Sequence, residues 1–197
     1  MPTPMEQLKN STADLHEALE AVAQSQRIMD KSLTLTQFQQ MMANHYRLHW
    51  LLEPTLAASL DRTLPELAYG SQRTKLSALV EDLESLDLKP ADLQTGLPET
   101  VPELNSLATA LGVAYVLEGS SLGGQVIRKA LSQHPEISAR CSFAYYRHYG
   151  SDVRQRWVDF AATVNQRLST AAEQQAACQA AQQTFRLATQ VFALPLP

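Results

Sequence analysis

Apolar positions fall at helical spacing along almost the whole chain. Leu8, Thr12, Leu15, Leu19 and Val22 follow one another at intervals of four, three, four and three, which places them on one face of an amphipathic helix. A second helix is predicted from about Thr36, with Phe38, Met41, Met42, Leu48, Leu52 and Leu56 on its buried side. Pro54 falls inside that pattern and is expected to kink or restart it. Residues 73–86, RTKLSALVEDLESL, read as a third helix, and Pro90, Gly96, Pro98 and Pro102 mark the loop that follows. A fourth helix is predicted from about Glu103 to Leu131. The connector QHPEISARCS then leads into an aromatic cluster, FAYYRHYG. Gly150-Ser151-Asp152 opens a fifth helix that reaches Leu168, and an Ala/Gln-rich last helix runs from about Thr170 to Phe192 before Pro195. Strand-like alternation and internal repeats are absent from the sequence. The expected fold is all-α, a single helical domain over residues 1–197.

Composition narrows the function classes. A chain of 197 residues can bury a substantial core, and its formal net charge of −4 argues against general nucleic-acid binding. Arg147, Arg154 and Arg156 form a local basic group that could meet an anionic ligand or an acidic partner, or could simply be a solvated helix face. Cys141 and Cys178 are the only cysteines and show no metal spacing, so free thiols in a reducing compartment are expected. The start, MPTPMEQLKN, has no basic region followed by an apolar one, and no apolar run is long enough to span a bilayer. A cytoplasmic location is the expectation.

Five histidines carry the candidate chemistry. His16 has Glu20 four residues later, on the same helix face. A carboxylate there can take the Nδ1 proton and leave Nε2 free for a metal, although many surface helices carry such a pair with no ligand. His45 and His49 share the same spacing, with Glu53 one turn further on. A helical di-metal carboxylate site needs Glu-x-x-His motifs, and the residues three before the histidines are Ala13, Met42, Tyr46, Leu131 and Tyr145, so that reading fails. His45 and His49 are expected as partly buried polar residues tied to Tyr46. His134 reads as a loop residue, and His148 as core, surface or anion contact.

Three of the chain's seven glycines lie in Gly119-Ser120-Ser121-Leu122-Gly123-Gly124, in the middle of the fourth predicted helix. Each costs a helix about 1 kcal/mol relative to alanine. The stretch does not match a dinucleotide-binding fingerprint, because both the spacing and a preceding strand are missing. Gly119 and Gly123 share a face, with Gly112 further back on much the same stripe. Such a face admits either a neighbouring helix or a flat ligand, and a Gly/Ser pair is a site for a kink.

Taken together, these stretches resemble the heme oxygenase family, particularly its compact bacterial branch. LKNSTADLHEALE is similar to the family's proximal helix, YVLEGSSLGGQVIRKAL to its Gly-rich distal helix, and LTLTQFQQMMANHYRLHWLLEP to its second helix. The resemblance covers roughly residues 5 to 193. It implies that His16 is the axial ligand of heme iron and Glu20 its orienting partner, and that Lys9 pairs with a propionate. It further implies that Gly119, Gly123 and Gly124 wall the distal face, that Tyr46 joins the distal polar network, and that Phe185 and Phe192 lie near the heme edge. Arg154 and Arg156 are candidates for a second propionate contact. Where animal members carry an aspartate that organises distal water, this chain has Ser120, which leaves the proton route open. The implied reaction is cleavage of heme b, cofactor and substrate at once, by O2 and electrons from an external reductase or ferredoxin. Its products are biliverdin, CO and ferrous iron, and a monomer is expected. Two other readings stay open: a protein that binds or transfers heme without degrading it, and an enzyme of the same fold acting on a small heterocycle such as a thiamine derivative.

Overall fold

The computed structural model describes residues 2–197. Helices α1 (Pro4–Val22), α3 (Leu35–Thr63), α5 (Leu76–Ser85), α6 (Leu107–Gly119), α7 (Gly124–Leu131), α10 (Val153–Arg167) and α11 (Ala171–Phe192) form the frame. Four short helices lie between them: α2 (Ser25–Met29), α4 (Tyr69–Gln72), α8 (Pro135–Ser138) and α9 (Ala144–Arg147). No strand occurs among the described residues.

Local chemistry sets most of the boundaries. Capping boxes start α1 at Thr3 with Glu6, α3 at Thr34 with Gln37, α6 at Ser106 with Thr109, and α11 at Thr170 with Glu173. In each, the cap hydroxyl and the third residue's side chain satisfy free backbone amides reciprocally. The Ser106 box explains why α6 begins later than the expected Glu103. Pro54 does not divide α3, which runs unbroken for 29 residues. Pro54 and Thr55 are exposed, so the hydrogen bond that the proline removes falls on the wet side of the helix. The short helices escape periodicity because four or five residues hold barely one turn.

Two apolar clusters share α3. One packs α1, α6, α10 and α11 against Leu48, Leu52, Leu56 and Leu60. The other packs α5, α9 and the end of α7 against Phe38, Met41, Met42 and Tyr46. The crossing of α6 with α11 is close enough that a Cβ on Gly112 would lie inside contact distance of the Ala177 carbonyl. Gly124 plays the same role against α9, where an added Cβ would meet the Tyr146 carbonyl oxygen at 3.2 Å.

The fourth predicted helix is two helices. Between α6 and α7 the backbone tightens to i→i−3 bonds: Ser121 N to Glu118 O at 3.1 Å, Leu122 N to Gly119 O at 3.1 Å and Gly124 N to Ser121 O at 3.0 Å. The Ser120 hydroxyl donates to the Leu117 carbonyl at 2.7 Å, satisfying an oxygen that the break would leave free. None of Gly119, Gly123 and Gly124 has a positive φ, so unusual backbone geometry does not call for glycine here, and only at Gly124 would an added Cβ be crowded.

Candidate active site

Helices α1, α3, α6 and α11 enclose a cleft of about 530 Å³, a volume in the range of pockets that hold a sizeable organic ligand. Leu19, Leu48, Val116, Leu117 and Trp157 make its walls apolar. His16 and Lys9 enter from α1, two turns apart on one face. Gly119 and Ser120 enter from the end of α6, and Phe185 and Phe192 from α11. The cleft thus gathers residues from both ends of the chain.

The side chain of His16 is 58% exposed, so it is not a packed core histidine. Its ring meets Phe185 edge-on, with centroids 5.8 Å apart. Nδ1 lies 3.7 Å from Glu20 Oε1, an ion-pair distance too long for a direct hydrogen bond. Lys9 pairs with no carboxylate among the described residues. Across the cleft, a Cβ on Gly119 would touch only Trp157, at 3.7 Å. The residue at this point can therefore decide how much of the cleft stays open.

Four of the expected site residues lie elsewhere, and a fifth faces away. Tyr46 is buried in the second core, where its hydroxyl accepts from Gln94 Nε2 at 2.8 Å and its ring stacks on Trp50. It does not join polar groups at the cleft, and neither His45 nor His49 is tied to it. Arg156 lies over the Tyr149 ring, 5.0 Å from its centroid, and donates to the Gln72 carbonyl on another face of the molecule. Arg154 is exposed on α10 and does not line the cleft, although Trp157 one turn on does. Gly124 serves the packing of α7 on α9, and the missing Cβ of Gly123 points towards Ile127. Of the three clustered glycines, only Gly119 lines the cleft. Arg147, the third member of the basic group, faces Glu81 at 3.7 Å on the surface.

The structure also brings in residues to which the sequence assigned no place at the site. His45, His49 and Tyr145 form the inner end of the cleft. The Tyr145 hydroxyl lies 3.2 Å from Ser120 Oγ and 3.4 Å from His49 Nε2, and His49 Nδ1 lies 2.7 Å from Glu53. The only sequence signals were the i,i+4 step from His49 to Glu53 and the unassigned aromatic cluster. Asp82 of α5 aims Tyr145 by accepting from the backbone N–H groups of Ala144 and Tyr145 at 2.8 and 2.9 Å, at the start of α9. Ser120 and Tyr145 also separate the cleft from a cavity the size of one water molecule, flanked by the unpaired hydroxyls of Ser121 and Tyr146.

Burial, then the neighbouring His49, pushes the ring of His45 down to about 3. Folding therefore holds His45 neutral while the unfolded ring can protonate below its ordinary value of 6.5. Stability should fall as pH drops from about 6.5 towards 3, by up to about 1.4 kcal/mol per pH unit. Urea midpoints between pH 7.5 and 5 should show this loss, and His45→Gln should flatten it.

The match of residues 3–194 to the family model described as heme oxygenase decides the identity. The chain belongs to the heme oxygenase family. A heme oxygenase of Xanthomonas campestris pv. campestris (strain 8004) is 32% identical over 149 residues, 75% of this chain and 84% of that protein. Among solved structures, a heme oxygenase from Leptospira interrogans superposes with a TM-score of 0.78, at 18% identity over 98% of this chain and 99% of its own. A heme oxygenase of Neisseria meningitidis in NO- and CO-bound forms gives 0.75, at 19% identity over 100% and 98%. The all-helical architecture is that of these heme oxygenase structures. Heme degradation to biliverdin is the reaction of the family. No helix among the described residues is long and apolar enough to cross a membrane.

The cleft fits heme on its own chemistry. No group of three His, Cys, Asp or Glu among the described residues could cage a bare metal ion. Iron inside a porphyrin asks the protein for one or two axial ligands only. His16, the exposed one of three imidazoles that line this apolar cleft, with an unpaired lysine two turns away on α1, suits such a group.

Proposed function

We propose that the cleft binds heme b through His16 and opens the macrocycle at a meso carbon to biliverdin, CO and ferrous iron. The observation that carries this reading is the placement of the accessible His16 across an apolar cleft from Gly119, where no Cβ narrows the space. When bound, heme supplies the iron at which O2 is reduced and is itself the substrate that is oxidised. O2 and electrons from an external reductase or ferredoxin are the co-reactants, and the protein acts as a cytoplasmic monomer.

The chain's own residues supply orientation. His16 would hold the iron through Nε2, with Glu20 at ion-pair distance from the other side of the ring. Lys9 would be the cation to meet a propionate, since it lines the cleft while Arg156 is committed to Tyr149 and Gln72. Phe185 backs the His16 ring and limits its rotation. The apolar walls exclude water, which strengthens every polar contact made inside. Gly119 would leave room for the macrocycle, and Ser120 and Tyr145 bring hydroxyls to the same part of the cleft.

Anaerobic heme titration followed by O2 and a reductant tests the reading. Biliverdin identified by chromatography supports it, and a stable heme complex that is never opened shows a binding or transfer protein. Gly119→Leu should place its side chain against Trp157 and fill the cleft. The expected result is a tenfold or greater loss of biliverdin per bound heme, with the His16-ligated absorption spectrum still present. Unchanged product yield from that variant would remove the argument from open space.

A further inference from the structure

We propose that the segment after α11, residues 193–197, is a latch that positions Phe192. Gln40, Asn44 and Arg47 of α3 hold the segment, and Phe192 so held limits how a macrocycle can sit in the cleft. The inference rests on the reading of the cleft as a heme site and names residues that decide which meso carbon is opened.

The latch is a ladder of side chains on one face of α3. Gln40, Asn44 and Arg47 follow one another at steps of four and three. The Gln40 amide is used twice: Nε2 donates to the Leu194 carbonyl, and Oε1 accepts from the Leu196 backbone N–H at 2.6 Å. Asn44 Nδ2 donates to the carbonyls of Phe192 at 3.2 Å and Leu194 at 3.3 Å. The last carbonyls of a helix have no partner within it, and Asn44 supplies one to the final residue of α11. Arg47 is 4% exposed and pairs with no carboxylate among the described residues. Its guanidinium donates instead to Asn44 Oδ1 at 2.7 Å and to the carbonyls of Pro195 at 3.0 Å and Leu93 at 3.2 Å. A buried cation is costly without acceptors, so Arg47 favours the docked segment that brings it the Pro195 carbonyl. Leu196 adds an apolar contact with the second core.

Phe192 is where the latch meets the cleft. It lines the cleft and also a second cavity of about 50 Å³, shared with Val22, Leu33, Met41, Gln40 and Asn44. Its ring meets that of His45 edge-on, with centroids 5.0 Å apart. Phe192 is thus a partition with space on both sides, and close packing alone does not hold it. The bonds to its own carbonyl and to residues 194–196 do. A quarter turn of a near-square macrocycle about the His16 bond exchanges its meso carbons and leaves that bond unchanged. Only side contacts tell such seatings apart, and the edges of heme b differ in methyl, vinyl and propionate groups. Lys9 sorts the propionates by charge, and a fixed Phe192 sorts the other edges by size. Gln40, Asn44 and Arg47 act through Phe192 and are positioning residues.

Gln40→Ala removes two rungs of the ladder at a partly exposed position, and Phe192→Ala removes the partition itself. In heme-free protein, Gln40→Ala should speed amide exchange at Leu196 about tenfold or more, because the acceptor of that N–H is gone. In the same variant the ring-proton resonances of His45 should move towards their positions in Phe192→Ala, as the Phe192 ring leaves its place. Wild-type exchange at Leu196, or His45 resonances that stay where they are, overturns the latch. With heme, both variants should bind within about threefold of wild type, since His16 and Lys9 are untouched. Wild type should give one main biliverdin isomer, and each variant should raise the share of the others about fivefold or more. An even mixture from wild type, or a wild-type distribution in either variant, overturns the role in specificity. The exchange and resonance measurements need no heme. Wild-type protein that fails to open heme would therefore defeat the functional reading, while those measurements still decide whether the latch holds Phe192.

Discussion

Replacing His16 with alanine should abolish the histidine-ligated heme spectrum while leaving the fold unchanged. The side chain is more than half exposed and its contacts are an edge with Phe185 and a loose pairing with Glu20, so little folding energy is at stake. No other imidazole stands on α1 to take over the proposed contact with iron. Residual heme held by the apolar walls should show an altered Soret band, and added imidazole should restore a histidine-like spectrum. An unchanged spectrum in His16→Ala would move the axial ligand to His45 or His49, the other imidazoles of the cleft. Circular dichroism and a urea midpoint close to wild type should accompany the spectral loss.

The largest effect on stability is expected at Glu118, the residue immediately before Gly119. Its carboxylate is 2% exposed and binds Arg73 Nη1 at 2.6 Å, Lys75 Nζ at 2.9 Å and the Tyr149 hydroxyl at 2.8 Å. Arg73 and Lys75 are themselves buried, and Lys75 lies 5.0 Å from the centroid of the Tyr149 ring. Glu118→Gln leaves two buried cations without their countercharge, which should cost about 3–5 kcal/mol in urea unfolding. Burial pushes the Glu118 carboxyl up, but Lys75 and then Arg73 hold it below its ordinary value of 4.5. A carboxylate with a depressed folded value contributes stability above its unfolded value, and that stability is lost as pH falls through the folded one. Wild type should therefore weaken further below about pH 4.5, and this part of the loss should be missing in Glu118→Gln. Replacing Glu118, Arg73 and Lys75 together with apolar residues of similar size should recover much of the stability. The cluster ties the last turn of α6 to the segment before α5, so its integrity also fixes the wall that Gly119 presents.

The residues legible in the sequence were those whose role rests on neighbours along the chain. The stripe from Leu8 to Val22, the i,i+4 step from His16 to Glu20 and the i,i+7 step from Lys9 to His16 all follow from the pitch of one helix. The glycine cluster was visible as a local defect in helix propensity, but its division of labour was not. Gly112 and Gly124 make room for α11 and α9, and only Gly119 opens on the cleft. Distinguishing them needs the positions of other helices. Arg154 and Arg156 illustrate the same limit: a cation's sequence does not say that Tyr149 and a carbonyl of another segment will hold it.

By itself the sequence determined the all-α class, the starts of α3, α10 and α11 to within a few residues, the helix that carries His16 and the position of the break between α6 and α7. Capping, periodicity and glycine cost act over a few residues, and their signals are complete within one helix. Only the tertiary structure decided which glycine faces the cleft, that Tyr46 is excluded from it, and that Tyr145, His49 and Glu53 join Ser120 at its inner end. Those outcomes depend on contacts between segments up to 96 residues apart, as in the step from His49 to Tyr145. Helix packing sets such distances, and no local pattern records them.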